Sequence, residues 1–171
     1  GDPGGAEFQD ILAGIDWSPL VLSLQVASVA TVIALVAGVA LGWVFARHPF
    51  PGVSVVEAIF MLPLVLPPTV LGYGILVAAG RRSPLGAWLR EHFDYTLLFP
   101  WPGAVVASAV VALPLVLKSA STAFAQVDRT LEAAARTLRQ SPWAVFVRVT
   151  LPLAWPGILA GTLLAFARAM G

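Results

Sequence analysis

From Leu20 to Ala46 the chain carries no charged residue. At 1.5 Å per residue such a run reaches about 40 Å as a helix, enough to cross a bilayer with some tilt. Gln25, Ser28, Thr31, Gly38 and Gly42 fall roughly on one stripe of it, and small and polar residues on a stripe let a second helix approach closely. A short basic loop follows, with Arg47, His48, Pro49, Pro51 and Gly52. The next apolar run, about Val53 to Ala79, predicts a second span with a centre broken by Pro63, Pro67 and Pro68. Residues 80–101 are polar, punctuated by Trp88, Tyr95 and Trp101, residues suited to a membrane interface. A short third span is expected over about Pro102–Leu117, interrupted by Pro114. A polar segment, 118–152, separates it from a last span that begins near Leu153.

Composition agrees with this pattern. The chain is 58% hydrophobic and 11% charged, whereas a soluble domain is about 25% charged. Its 171 residues accommodate four spans of roughly 20 residues plus loops. The expected fold is all-α and polytopic, with an external N-terminal segment over 1–19 and a transmembrane domain over 20–171. The first residues are acidic and Gly-rich, unlike the basic start of a secretory signal. The absence of cysteine excludes thiol catalysis and cysteine-ligated zinc. His48 and His92 are too few and too far apart in sequence for a metal site, and a net charge of +1 does not point to nucleic acid. Orientation follows from the basic residues. Arg47, Lys118, Arg129, Arg136, Arg139 and Arg148 outnumber Arg81, Arg82 and Arg90, which places 118–152 in the cytoplasm and the N-terminus outside.

Segment 118–152 has internal order. Asp128 suits a helix N-terminus, where negative charge is favoured. Leu131, Ala134, Ala135 and Leu138 share one face of the helix that follows, and Arg129, Glu132, Arg136 and Arg139 lie largely on the other. Glu132 and Arg136 have the favourable i,i+4 order. Ser141-Pro142 reads as an N-cap with proline at the first helical position, opening a short helix to Val149 that Leu151-Pro152 ends. The pattern fits a helix–turn–helix that docks a partner, and equally an amphipathic loop lying on the membrane.

The run Leu131-Glu132-Ala133-Ala134-Ala135-Arg136-Thr137-Leu138-Arg139-Gln140-Ser141-Pro142-Trp143, ending Val149-Thr150-Leu151-Pro152, resembles the EAA loop of bacterial ABC importer permeases. That pattern is Glu-Ala-Ala, three residues, Gly, nine residues, Ile, one residue, Leu-Pro. Two positions depart from it: strict spacing puts Ala133 at the Glu, one residue after Glu132, and Arg139 at the Gly. Arginine there must either accept a strained left-handed backbone, at about 1–2 kcal/mol, or choose another turn. The runs Phe50-Pro51-Gly52, Leu62-Pro63-Leu64-Val65-Leu66-Pro67-Pro68-Thr69-Val70-Leu71-Gly72-Tyr73, Gly80-Arg81-Arg82-Ser83-Pro84-Leu85-Gly86-Ala87-Trp88-Leu89 and Pro156-Gly157-Ile158-Leu159-Ala160-Gly161 extend the resemblance to the molybdate branch. Sulfate and thiosulfate permeases are near relatives.

The resemblance implies a multi-pass subunit of the bacterial inner membrane that carries molybdate inward. Tungstate or sulfate is the alternative cargo. It implies an ABC ATPase as partner, an external substrate-binding protein, a second permease copy and the lipid bilayer, with no cofactor and no nucleic acid. The coupling-loop residues would be Glu132, Ala133, Ala134, Ala135, Arg139, Ser141 and Pro142. Members of the family also continue beyond Phe166-Ala167-Arg168-Ala169-Met170-Gly171, so at least one further span is expected. No Gly-x-x-x-x-Gly-Lys-Ser/Thr loop occurs in the chain, which assigns ATP hydrolysis to a separate subunit.

Two further features suit a translocation pathway. Pro63, Pro67 and Pro68 free backbone carbonyls, which are tolerated at membrane depth only against protein or a water-lined cavity; Thr69 is the adjacent hydroxyl. A structural kink is the other reading. Arg168 is an intramembrane charge, a functional candidate by default, or one half of a structural ion pair. Glu57 is expected to reach water or to pair with Arg47. A passive channel would need no docking helix at all.

Overall fold

A computed structural model describes residues 17–48, 50–80, 83–93 and 100–170. The expected N-terminal segment through Asp16, the loop arginines Arg81 and Arg82, and Asp94 and Tyr95 lie outside the described residues, as do the side chains of Pro68, Arg90 and His92. The described chain is helical: α1 (Ser18–Arg47), α2 (Val53–Val65), α3 (Pro68–Ala79), α4 (Pro84–Phe93), α5 (Pro100–Gln126), α6 (Arg129–Thr137), α7 (Pro142–Val145), a π-turn (Phe146–Thr150) and α8 (Leu151–Met170). Three stretches are long and apolar enough to cross a membrane: Ser18–Arg47, Trp101–Gln126 and Pro142–Met170. α2 and α3 qualify as a bent pair.

The core is the packing of α5 between α1 and α8, and small residues allow it. Val26 and Ala30 of α1 cluster with Val105 and Ala109 of α5. Ala34 clusters with Ala112 and Val116. A Cβ added at Gly38 would lie 2.8 Å from Val116 Cγ1, and one at Gly42 would lie 2.8 Å from Ala120 Cβ and 2.9 Å from the Ser121 backbone nitrogen. The backbones therefore approach too closely for any side chain at these positions. Of the expected stripe, Thr31, Gly38 and Gly42 are buried in this seam, whereas Gln25 and Ser28 are exposed. Ala27, Ala30 and Ala34 complete the packed face.

This register fixes the direction of travel. Contacts along α1 and α5 rise together in number, so these two helices are parallel. Gly157 meets Ala123 and Gly161 meets Ser119, so α8 runs antiparallel to α5. Two parallel crossings require the chain between them to return to the first side. That crossing falls to segment 48–99, whose described apolar pair is α2 and α3. Counting that bent pair as one span gives four crossings, and the end of α1, the end of α5 and the loop that follows α5 lie at one end of the helix bundle.

Three boundaries differ from the sequence expectation. The second span is two helices whose axes turn by 116° at Leu66–Pro67. Leu66 and Pro67 are extended, with ψ of 140° and 142°, because each precedes a proline whose ring excludes the helical conformation. Pro63, by contrast, sits inside α2. The third span continues to Gln126, so Lys118 lies within a helix and the loop is shorter than 118–152. Leu151-Pro152 does not end the last helix of the loop. The Leu151 N–H bonds the Phe146 carbonyl across a π-turn, and the chain continues into α8. Widening the turn lets the helix absorb a proline whose missing N–H would otherwise interrupt it.

Candidate coupling site

The connection between α5 and α8 folds as two capped helices. The Thr130 backbone N–H donates to the Asp128 carboxylate at 2.8 Å. That backbone bond, supported by the Thr130 side chain, holds the Asp128 carboxyl below its ordinary range. The Ala144 N–H donates to Ser141 Oγ at 3.2 Å, with Pro142 opening α7. Both caps stand where the sequence placed them.

The turn between these helices resolves the choice posed at Arg139. Arg139 has φ 58° and is the one non-glycine residue with positive φ among the described residues. The left-handed turn that glycine makes cheaply is kept with arginine in it, at about 1–2 kcal/mol. Val149, at the motif's Ile position, lies in the π-turn.

α6 does not bury its apolar side as a soluble amphipathic helix does. Leu131 is 48% exposed and Leu138 75% exposed. Ala133 and Ala134 are exposed and Ala135 is half-buried. Of the charged residues only Glu132 turns inward, while Arg129, Arg136 and Arg139 are exposed. Glu132 is buried and its Oε1 accepts from Arg47 Nη2 at 2.6 Å and from Thr150 Oγ1 at 2.7 Å. Arg47 Nη2 also reaches the Val127 carbonyl at 3.5 Å. One carboxylate thus ties together the end of α1, the residue after α5, α6 and the π-turn. Thr150 is 2% exposed, so this node is dry on one side, where an ion pair is strong and costly to break.

These contacts correct two pairings expected from sequence. Glu132 bonds Arg47 rather than its helical neighbour Arg136, because Glu132 is turned against the core while Arg136 is exposed. Glu57 does not pair with Arg47; it accepts from Lys118 Nζ at 2.7 Å, joining α2 to α5. The sequence reading also missed Arg47 and Thr150 as partners of the loop. Their residue types gave a weak signal: a lone basic residue closing an apolar span, and a threonine beside the motif's Leu-Pro.

Aromatic rings pack beneath the node. Phe146 contacts Trp43 at 5.6 Å, Trp143 at 5.6 Å and Phe124 at 6.0 Å between ring centroids. It thereby joins α1, α5 and the loop, and α7 is held at a fixed angle to the spans.

The other sequence candidates lie apart from this site. Pro67 and Thr69 are exposed and Pro63 half-buried, around the break between α2 and α3. Arg168 is exposed near the far end of α8 and makes no ion pair with the described residues. No group of three or more histidine, cysteine, aspartate or glutamate side chains suited to a metal occurs among the described residues.

Residues 21–171 match the family described as binding-protein-dependent transport system inner membrane component. The chain is 45% identical over 161 residues, 94% of its length and 70% of the relative's, to the molybdenum transport system permease protein ModB of Escherichia coli (strain K12). It is 43% identical over 155 residues, 91% of its length and 68% of the relative's, to the putative molybdenum transport system permease protein YvgM of Bacillus subtilis (strain 168). Against the sulfate transport system permease protein CysW of Synechocystis sp. the identity is 35% over 154 residues, 90% of this chain and 55% of that protein. The match over nearly the whole chain, joined to the helical architecture, establishes that this protein belongs to the family of binding-protein-dependent transport system inner membrane components.

Proposed function

We propose that this chain is the permease of an ATP-driven importer and carries molybdate across the bacterial inner membrane. The observation that carries the reading is α6. Its small and apolar side, with Leu131, Ala134 and Leu138, is exposed, while the single buried carboxylate of Glu132 anchors it to Arg47 of α1 and to Thr150 of the π-turn that leads into α8. A helix held this way offers a fixed contact to an ATPase subunit and passes its displacement to two spans at once. Ala133, Ala134 and Ala135 permit close approach, Arg139 sets the turn, and Ser141 and Pro142 fix the start of α7. The ATPase side is the cytoplasm, which puts the N-terminus outside. An external binding protein delivers the anion, and a second permease copy completes the pathway.

The pathway in this reading follows the break at Pro63, Pro67 and Pro68. α3 begins there, so the Thr69 backbone N–H and hydroxyl stand at a helix N-terminus, where negative charge is favoured. Arg168 lies toward the other end of the crossing and offers a guanidinium to an oxyanion. Molybdate is favoured over sulfate because identity is higher to the molybdenum permeases than to the sulfate permease.

The test is ATPase stimulation in the assembled, reconstituted transporter. Molybdate delivered with the binding protein should stimulate hydrolysis and sulfate should not. Ala134→Trp should abolish the stimulation by keeping α6 out of its cleft. Stimulation by sulfate alone would overturn the cargo, and full coupling in Ala134→Trp would overturn the docking role.

A further inference from the structure

A cleft of about 780 Å³ opens beside the coupling loop. Arg47, Arg129 and Arg136 line it together with His48, and the one carboxylate in its wall is Glu132. The side chain of Arg47 is 9% exposed, and its Nε–H is buried without a hydrogen-bond partner. The cleft is therefore basic, and Arg47 in its wall keeps an unused, desolvated donor, a group that is costly to leave unpaired.

A second cavity, about 680 Å³, adjoins the first. The two share Trp43, Pro142 and Phe146 as wall. This second cavity is almost wholly apolar and follows α1 from Val44 back to Leu35, closed on the other flank by Trp143, Leu151 and Trp155. The rise from Leu35 to Val44 along the helix is about 14 Å. That is close to half of the roughly 30 Å hydrocarbon core, the depth of one leaflet.

We propose that this composite groove is a binding site for an anionic phospholipid. The headgroup phosphate lies in the arginine cleft, where Arg47, Arg129 and Arg136 supply charge-assisted donors, and one acyl chain lies along α1 between Val44 and Leu35. Basic pockets between membrane helices are suited to such headgroups. An acidic side chain of a docked ATPase would satisfy the cleft but has no use for the apolar groove, which runs into the membrane-embedded part of α1. The lipid bridges α1, α6 and α8 at the point where the coupling helix meets the bilayer.

The experiment counts lipids retained by the whole transporter, permease with its ATPase, by native mass spectrometry after exchange into mixed phosphatidylglycerol and phosphatidylcholine. The wild type should retain phosphatidylglycerol several-fold over phosphatidylcholine. The double variant Arg129→Gln/Arg136→Gln changes only exposed side chains and should lose that preference. Ala40→Trp, which fills the apolar groove, should lower retention of both lipids. Inorganic phosphate should compete poorly, because it lacks the chain. Equal retention of the two lipids by the wild type would overturn the proposal, as a groove covered by another segment or a second copy would also produce. Effective competition by inorganic phosphate would reduce the site to an anion cleft and overturn it as well. Loss of the ATPase from the double variant with an unchanged lipid count would assign the arginines to an acidic protein partner instead.

Discussion

The coupling end and the broken second crossing are both joined to the core by an ion pair, yet the two pairs sit in different surroundings. At the coupling end, Arg47 and Glu132 have side chains 9% and 12% exposed, with Thr150 as a second donor to the same oxygen. At the broken crossing, Lys118 is 62% exposed and Glu57 27% exposed. α2 contributes no buried residue, and a Cβ at Gly72 or Gly74 of α3 would meet nothing within 4 Å. One region is over-determined within a single chain. The other presents its surface outward. On the function proposed above, the difference suits a machine in which one end receives a mechanical input and the other must change shape around a passing ion.

The break itself gives the largest expected effect. Pro67 holds Leu66 extended, and Pro68 holds Pro67 extended. Replacing Pro67 alone leaves the second constraint in place. Pro67→Ala/Pro68→Ala removes both, allows α2 and α3 to join, and should abolish molybdate uptake while membrane insertion persists. Unchanged uptake, measured in vesicles, would make the break a packing feature only.

The ion pairs give the next contrast. Glu132→Ala leaves the Arg47 guanidinium buried without its carboxylate and should cost about 3–5 kcal/mol. Glu57→Ala removes the half-buried partner of an exposed Lys118 and should cost under about 1 kcal/mol. Thermal unfolding of the two variants in one detergent compares them directly. Equal losses would erase the distinction between the regions.

Glycine substitutions repeat the contrast at smaller scale. Gly42→Ala places a methyl 2.9 Å from the Ser121 backbone nitrogen, which cannot rotate away. The expected cost is about 1–3 kcal/mol. Gly72→Ala enters open space in a helix and should stabilise by about 0.4–1 kcal/mol. The signs differ, so even a coarse melting assay separates them.

Much of this architecture was legible in the chain, because the signals were local. Uncharged runs located the crossings, and Asp128 and Ser141 marked helix starts whose caps form within three residues. Boundaries failed where a local stop signal was overruled. Lys118 does not end α5, since Glu57 from another helix receives it. Pro152 does not end the last helix, since a π-turn absorbs it. The node at Glu132 was illegible for a different reason. Its partners Arg47 and Thr150 are brought together by the parallel packing of α1 on α5, a long-range fact that helical spacing does not encode. Spacing pointed to Arg136 on the same helix, and tertiary contact won.

The smallest effect tests the turn on which the coupling loop depends. Arg139 keeps a left-handed backbone at φ 58°, where a Cβ crowds the following carbonyl. Arg139→Gly removes that crowding and should stabilise the loop by about 1 kcal/mol. Part of the gain is offset, because glycine is freer in the unfolded chain. The melting temperature should rise by about 2–4 °C if the membrane domain follows the scaling of soluble proteins of 150–250 residues. Two controls separate strain from charge. Arg139→Ala removes the guanidinium but keeps the Cβ, so it should show no gain. Arg139→Asn suits the left-handed region better than alanine and should fall between the two. If Arg139→Ala stabilises as much as Arg139→Gly, repulsion among the loop arginines is the cause, and the backbone conformation is not strained. If neither stabilises, the loop does not limit unfolding, and the rise should then appear only in hydrogen exchange at Leu138–Gln140.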